Sequence, residues 1–172
     1  MTRTVEVTVT FLEMPSRDNL SCERSLPPDI ALHREDRHGA PGLAAALYRR
    51  VGAAWHWVER LSWTPDDWRR AIDSDQVELW TARRGDEVAG YFELRKTGDT
   101  VDINYFGLVP AFAGQQLGGP LLAAAVHRAW STGASRVTVN TCTLDHMAAL
   151  PNYLARGFTI ARTEHQRRTI EA

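Results

Sequence analysis

The segment that most narrows what this chain can fold into is Tyr105-Phe-Gly-Leu-Val-Pro-Ala-Phe-Ala-Gly-Gln-Gln-Leu-Gly-Gly-Pro-Leu-Leu. It reads as a strand that runs into a glycine-rich loop, which feeds the first turn of a helix. Glycines let a backbone approach a ligand closely, and a helix start offers unpaired N–H groups at the positive end of its dipole. The loop therefore suits an anion such as a pyrophosphate. No Lys followed by Ser or Thr closes it, so it is not an ATP-type phosphate loop, and the βαβ setting of a dinucleotide fingerprint is missing. Alone, such a loop serves equally well as a plain turn. Its surroundings decide.

Upstream, Val5 to Phe11 alternates with period two and predicts a strand, followed by a Ser/Asn/Asp/Pro-rich connection over 15–28 and a short strand over 30–33. Leu43, Leu47, Val51, Trp55 and Val58 recur at helical spacing, which predicts a helix over 42–61. Thr64 is a predicted N-cap with Pro65 in the first turn, opening a helix to about Asp75. Two β runs over 77–83 and 88–96 meet at Arg84-Gly-Asp, and Thr97-Gly-Asp turns into a third over 100–108. A helix over 120–130, a strand over 136–143, a helix over 145–155 closed by Gly157, and a strand from Phe158 to about Thr163, with an extension to Ile170 as the alternative, follow.

This order predicts an α+β fold: a mixed, mostly antiparallel sheet of six to seven strands with about four helices, in one domain over 1–172. Residues 1–29 stand as an extra strand and loop, which either extends the sheet or pairs across a homodimer. Residues 77–163, which hold the glycine-rich loop, form the expected cofactor-binding core. The formal net charge of −1 gives no global field for nucleic acid or an anionic membrane. No run of about 18 apolar residues is present, and the N-terminal stretch lacks the apolar core of a signal peptide. The two cysteines, Cys22 and Cys142, read as free thiols in a reducing, cytoplasmic compartment. The His and Cys residues show no paired ligand spacing, so no metal is expected. The short Gln166-Arg-Arg tail reads as a solvated strand end.

Two segments together resemble the GNAT superfamily of acyl-CoA-dependent N-acetyltransferases. Leu108-Val109-Pro110 is similar to the family's strand end, and Gly114-Gln-Gln-Leu-Gly-Gly-Pro-Leu-Leu to its cofactor loop and helix start. Leu144-Asp-His-Met-Ala-Ala-Leu-Pro-Asn-Tyr-Leu-Ala-Arg-Gly-Phe resembles the segment after the fifth strand, with Asp145 in place of the usual Asn. The resemblance implies acetyl-CoA as co-substrate. Leu108 and Val109 would meet its pantetheine arm, and the backbone of Gly114, Gln115, Gln116, Leu117, Gly118 and Gly119 its pyrophosphate. One departure stands out: Gln116 occupies the first glycine position of the family's central G-x-G, so its backbone angles must suit a residue with a Cβ.

In such enzymes an amine attacks the thioester directly, and the protein supplies positioning, a base and an acid. The resemblance makes Tyr153 the acid for the departing thiolate. Period two places Asp102, Asn104, Phe106 and Leu108 on one strand face, which makes Asp102 one candidate base. His146 is the other, since imidazole is the side chain best suited to proton transfer near neutral pH, and a water-relayed base remains a third. Cys142 has no partner pattern for an acyl-enzyme. The resemblance also places the acceptor wall between the first two strands, where Trp55 and Trp57 form an aromatic pocket and Glu59 or Glu93 contacts the cation of a small amine. The reading is an N-acetyltransferase for a primary amine of a small molecule or amino acid. Alternatives are a protein lysine or N-terminal acetyltransferase, a non-catalytic acyl-CoA-binding module and an acyl-CoA decarboxylase.

Overall fold

A computed structural model of the chain describes residues 2–21 and 24–171; Cys22 lies outside them. The alternation that opens the chain extends beyond its Val/Thr centre to form β1, Thr2–Met14. After it come β2 (Ala31–Arg34), β3 (Val77–Arg84), β4 (Glu87–Thr97), β5 (Thr100–Leu108), β6 (Arg136–Cys142) and β7 (Thr159–Glu171). Among the described residues these strands make one sheet in the order β2-β3-β4-β5-β6-β1-β7. Every neighbouring pair is antiparallel except β5 and β6, which run parallel. The helices are α1 (Ala40–Gly52), α2 (Pro65–Ile72), α3 (Gly118–Ser131) and α4 (Ala149–Ala155). None of them is long and apolar enough to cross a membrane.

The N-terminal strand corrects the expectation placed on it. It is neither an addition to the sheet nor a free edge, because it pairs with β6 through Val9–Met14 and with β7 through Thr2–Glu13. Val7, Val9, Leu12 and Met14 are buried, and the interior slot is what removes them from water. The edges are β2 and β7. Strand β7 carries Arg162, Glu164 and Arg167, charges that discourage edge-to-edge pairing.

Two helices are shorter than their patterns suggest. The helix of α1 stops at Gly52 instead of reaching Leu61, because Trp57 folds back over it. A Cβ on Gly52 would lie 2.6 Å from the Trp57 ring. His56 reverses the chain at φ +54, and the Trp57 N–H reaches back to the Gly52 carbonyl at 3.2 Å. Likewise α4 begins at Ala149, not Asp145. The Asp145 carboxylate accepts from the Thr141 hydroxyl (2.6 Å) and the Cys142 N–H (2.9 Å), so it closes the turn after β6 rather than starting a helix. By contrast α2 starts as read, with Thr64 and Asp67 forming a reciprocal capping box. Gly157, at φ +105, has the Asn19 carbonyl where a Cβ would stand, and this close approach docks the loop after β1 against the end of α4.

Between β4 and β5 the register slips: Glu93 faces Tyr105 while Leu94 faces Ile103, which leaves Asn104 as an extra residue in β5. This is a β-bulge, which bends a strand and sharpens its twist. A buried ion pair stands beside it. Arg60 holds Glu93 through two hydrogen bonds of 2.7 and 3.0 Å, and Asn104 Nδ2 donates to Glu93 Oε1 at 2.7 Å. The Arg60 guanidinium lies over the rings of Tyr105 (4.2 Å), Trp63 (4.6 Å) and Trp68 (5.4 Å). Half of the tryptophan-rich stretch thus packs around one cation. Removing one partner of such a pair leaves a bare buried charge, at a cost of about 3–5 kcal/mol. Arg60→Met is expected to lower the unfolding free energy by about that amount in urea titration. Adding Glu93→Leu should restore part of it; a double variant less stable than Arg60→Met would contradict this account.

Candidate active site

The parallel pairing of β5 and β6 ends early. It holds from Thr100 opposite Arg136 to Ile103 opposite Val139, after which the strands continue apart to Leu108 and Cys142. The bulge at Asn104 lies at the point of divergence. Asn104 and Tyr105 are consecutive, yet both reach the Arg60 side, whereas Phe106 turns to the opposite side to meet Tyr153. The single face expected for Asp102, Asn104, Phe106 and Leu108 is therefore broken in its middle. The opening between the strands is a cavity of about 850 Å³.

At one end the cavity is lined by Gly114, Gln116, Leu117, Gly118 and Gly119. Among the described residues, no hydrogen-bond acceptor meets the N–H groups from Gly114 to Gly119. Gln116 sits at φ +59, the left-handed region that costs a residue with a Cβ roughly 1–2 kcal/mol. Its side-chain oxygen accepts from Arg24 at 2.8 Å. Gln115 is turned outward, where its oxygen accepts from Arg84 at 3.1 Å. Arg156 adds a third cation near Gly119, and its buried Nε has no partner among the described residues. A cradle of orphaned N–H groups flanked by arginines fits a diphosphate. Leu108 lies on the wall, but Val109 does not. The Val109 N–H donates to the Ala89 carbonyl at 2.9 Å, and its carbonyl accepts from Phe112 N–H at 2.8 Å.

Tyr153 reaches the cavity from α4 between Phe106 and Phe158. Burial pushes its phenol well above the ordinary value, and the carboxylates of Asp145 and Asp102 push the same way. It stays protonated. Asp102 is not on the cavity wall: its carboxylate accepts from the Thr138 hydroxyl at 2.7 Å and clasps β5 to β6 just before they part. Burial raises its pKa, although the Thr138 bond opposes the rise. His146 is on the wall, edge-on to Trp55 with ring centroids 5.1 Å apart. Its Nδ1 accepts from the Ala148 N–H at 3.0 Å. In the neutral ring the proton is thus on Nε2, which leaves no free lone pair to act as a base. Cys142 also lines the cavity, but burial raises its thiol pKa and so weakens it as a nucleophile.

On the acceptor side the structure separates the expected residues. Trp55 and Trp57 line the cavity, Trp57 packing against Tyr48 and Tyr105. Glu93 does not: it is 1% exposed and fully engaged with Arg60 and Asn104, so it cannot meet an acceptor's cation. Of the two expected glutamates, Glu59 is the one that lines the wall. Arg168, which the tail pattern placed in solvent, lines it too, with its Nη1 3.2 Å from Glu59 Oε1. Period-two alternation along β7 carried the signal, since it sends Arg167 and Arg168 to opposite faces.

A family model described as Acetyltransferase (GNAT) family matches residues 44–158, well over half of the chain. The chain belongs to the GNAT acetyltransferase family. Curated proteins give no match. Among solved structures, a GCN5-related N-acetyltransferase from Sphaerobacter thermophilus is similar at 13% identity and a TM-score of 0.74, over 99% of this chain and 54% of that one. One from Kribbella flavida gives 13% and 0.66, over 99% and 60%. An aminoglycoside acetyltransferase from an uncultured soil metagenomic sample, in complex with sisomicin, gives 14% and 0.58, over 74% and 85%. This GNAT chain spans about half to two-thirds of the length of the first two structures. The α+β architecture read from its sequence is the GNAT fold.

No group of three or more His, Cys, Asp or Glu placed to hold a metal occurs among the described residues of this GNAT domain. The position of Asp102 yields a test. Because its pKa is raised on folding, its ionisation opposes the fold, so the stability it contributes is present at low pH and lost as pH rises through the raised value. Asp102→Asn keeps an acceptor for Thr138 and removes the charge. At pH 7 it should raise Tm, and the gain should fade at low pH, where the wild-type carboxyl is protonated in both the folded and the unfolded chain. Turnover should stay within about threefold of wild type, whereas loss of a general base would lower it by about 10²–10⁴.

Proposed function

We propose that this GNAT domain transfers the acetyl group of acetyl-CoA directly to the primary amine of a small molecule, without a metal. The observation that carries the reading is the cleft between β5 and β6 with the unpaired N–H groups of Gly114–Gly119 at its end. A diphosphate would be held at that cradle beside Arg24, Arg84 and Arg156, and the pantetheine arm along β5 near Leu108. Acetyl-CoA supplies the electrophilic thioester carbonyl. Tyr153 holds a proton at its phenol for the departing thiolate. Asn104 and Asn140 are polar groups on the wall near the strand split, available to position the reacting atoms. With Nδ1 of His146 engaged and Asp102 off the wall, the acceptor ammonium sheds its proton to solvent in the cavity, with Glu59 among the wall carboxylates beside it. The raised Cys142 thiol pKa favours direct transfer over an acyl-enzyme. A concave cavity with aromatic walls suits a small molecule better than a protein chain, and the sisomicin-bound neighbour is an enzyme for a small-molecule amine.

Calorimetry with acetyl-CoA tests the donor site. Gly118 faces open space toward Asn152, so Gly118→Trp fills the cradle without disturbing the core. Wild type should bind and the variant should not; absence of binding by folded wild type would sink the transferase reading. In a thiol-release assay, Tyr153→Phe should lower kcat by about 10²–10⁴ while leaving the KM for acetyl-CoA within about threefold. Wild-type kcat/KM should rise with the free-amine fraction and show no falling limb up to about pH 10, because the phenol stays protonated there. A fall between about pH 8 and pH 9 would remove Tyr153 from the role.

A further inference from the structure

The acceptor end of the cavity carries a feature that a plain amine does not need. Arg168 is the one Arg or Lys on the cavity wall among the described residues, and it stands beside Glu59. We infer that the acceptor is a zwitterion, an amino acid with a free α-carboxylate, in which Arg168 takes the carboxylate and Glu59 the ammonium. This inference rests on the acetyltransferase reading and names the substrate class of the same site.

The Glu59–Arg168 pair is built to exchange partners. Its side chains are 48% and 27% exposed, a setting in which an ion pair contributes little to stability. The Glu59 carboxylate is positioned without Arg168, because its Oε2 accepts from the Tyr48 hydroxyl and the Val58 N–H, each at 3.2 Å. The other contacts of Arg168 are long: Nη2 to Gln166 Oε1 at 3.5 Å and Nη1 to Cys142 Sγ at 3.7 Å. Its planar donor fork is thus available for a bidentate carboxylate.

Charge pattern then selects the ligand. A simple amine bound at Glu59 would hold its ammonium against the guanidinium, and a simple acid bound at Arg168 would face the Glu59 carboxylate. An α-amino acid carries both charges on one carbon, a spacing comparable with the 3.2 Å between Glu59 Oε1 and Arg168 Nη1. Docked side by side, the four charges alternate in sign, and none is left facing its like. Trp55 and Trp57 complete the wall with apolar surface, which suits an apolar or aromatic side chain. Acetylation would then form an amide at the α-nitrogen and release the CoA thiol, with the amine proton passing to solvent.

The test compares three ligands of one shape, L-phenylalanine, phenethylamine and 3-phenylpropionate, by calorimetry with CoA present. Phenylalanine should bind at least about tenfold more tightly than either single-charge analogue. Arg168→Gln should reduce that advantage to within about threefold, and Arg168→Lys should keep part of it, which separates lost charge from lost folding. Equal binding of phenethylamine and phenylalanine to wild type overturns the inference, as does an advantage that survives Arg168→Gln. If Arg168→Gln instead weakens malonyl-CoA binding and leaves the phenylalanine advantage intact, the arginine belongs to the donor and the inference fails. Thiol release is followed in parallel. The expected binding pattern without thiol release leaves the zwitterion site standing and removes the transferase reading; thiol release with phenethylamine at equal binding does the reverse.

Discussion

A guanidinium and a carboxylate buried together are a poor source of net stability, because desolvation cancels most of their attraction. What the Arg60–Glu93 pair contributes instead is position. Glu93 needs its remaining lone pairs satisfied, and Asn104 supplies a donor only because β5 carries an extra residue there. Tyr105 then lies under the guanidinium, and the strand is committed to its bend. Parallel strands that would otherwise stay paired separate at this point. The cleft, the exposed edge of β5 and the acceptor wall all descend from that one polar cluster. Its members come from β4, β5 and the turn after α1, so the pair also ties the acceptor wall to the sheet.

The two ends of the cavity differ in how they handle polarity. At the loop end backbone N–H groups find no partner among the described residues, and Gln116 is held in a left-handed conformation. Strain of this kind persists where surrounding contacts over-determine it, and here the Arg24 bond to the Gln116 side chain provides such a contact. At the other end the polar groups are satisfied, but by exchangeable partners. Between the two ends, burial holds the Tyr153 phenol in its neutral form.

Much of this was legible in the sequence where a residue's role is local. Thr64 announces its helix because a cap is decided within three residues. The turns at Gly85 and Gly98 follow from the positive φ that each hairpin needs. The Gly-rich loop and the Tyr153 segment were readable as motifs. The remainder depends on contacts distant in sequence. Helical spacing continued past Gly52, yet the packing of Trp57 on that glycine ends the helix. Strict alternation made Asp102 and Phe106 neighbours, and no local signal reveals the bulge that separates them. Glu93 and Glu59 looked equivalent as candidate anions; only Arg60, thirty-three positions from Glu93, distinguishes them. Arg168 looked like a charged tail because its partner Glu59 lies 109 residues away.

The placement of β1 has a consequence for how the chain is made. Strand β1 precedes β2 to β5 in the sequence, yet it must end between β6 and β7, which are made after them. Until then Val7, Val9, Leu12 and Met14 have no slot to fill, and an unpaired Val/Thr-rich segment is a hazard for association with other nascent chains. Strands β2 to β5, by contrast, are joined in sequence order and can form a meander as they appear. Assembly of the sheet is therefore a closing event rather than a progression, with its slowest contacts joining β1 to β7 across all the strands between them.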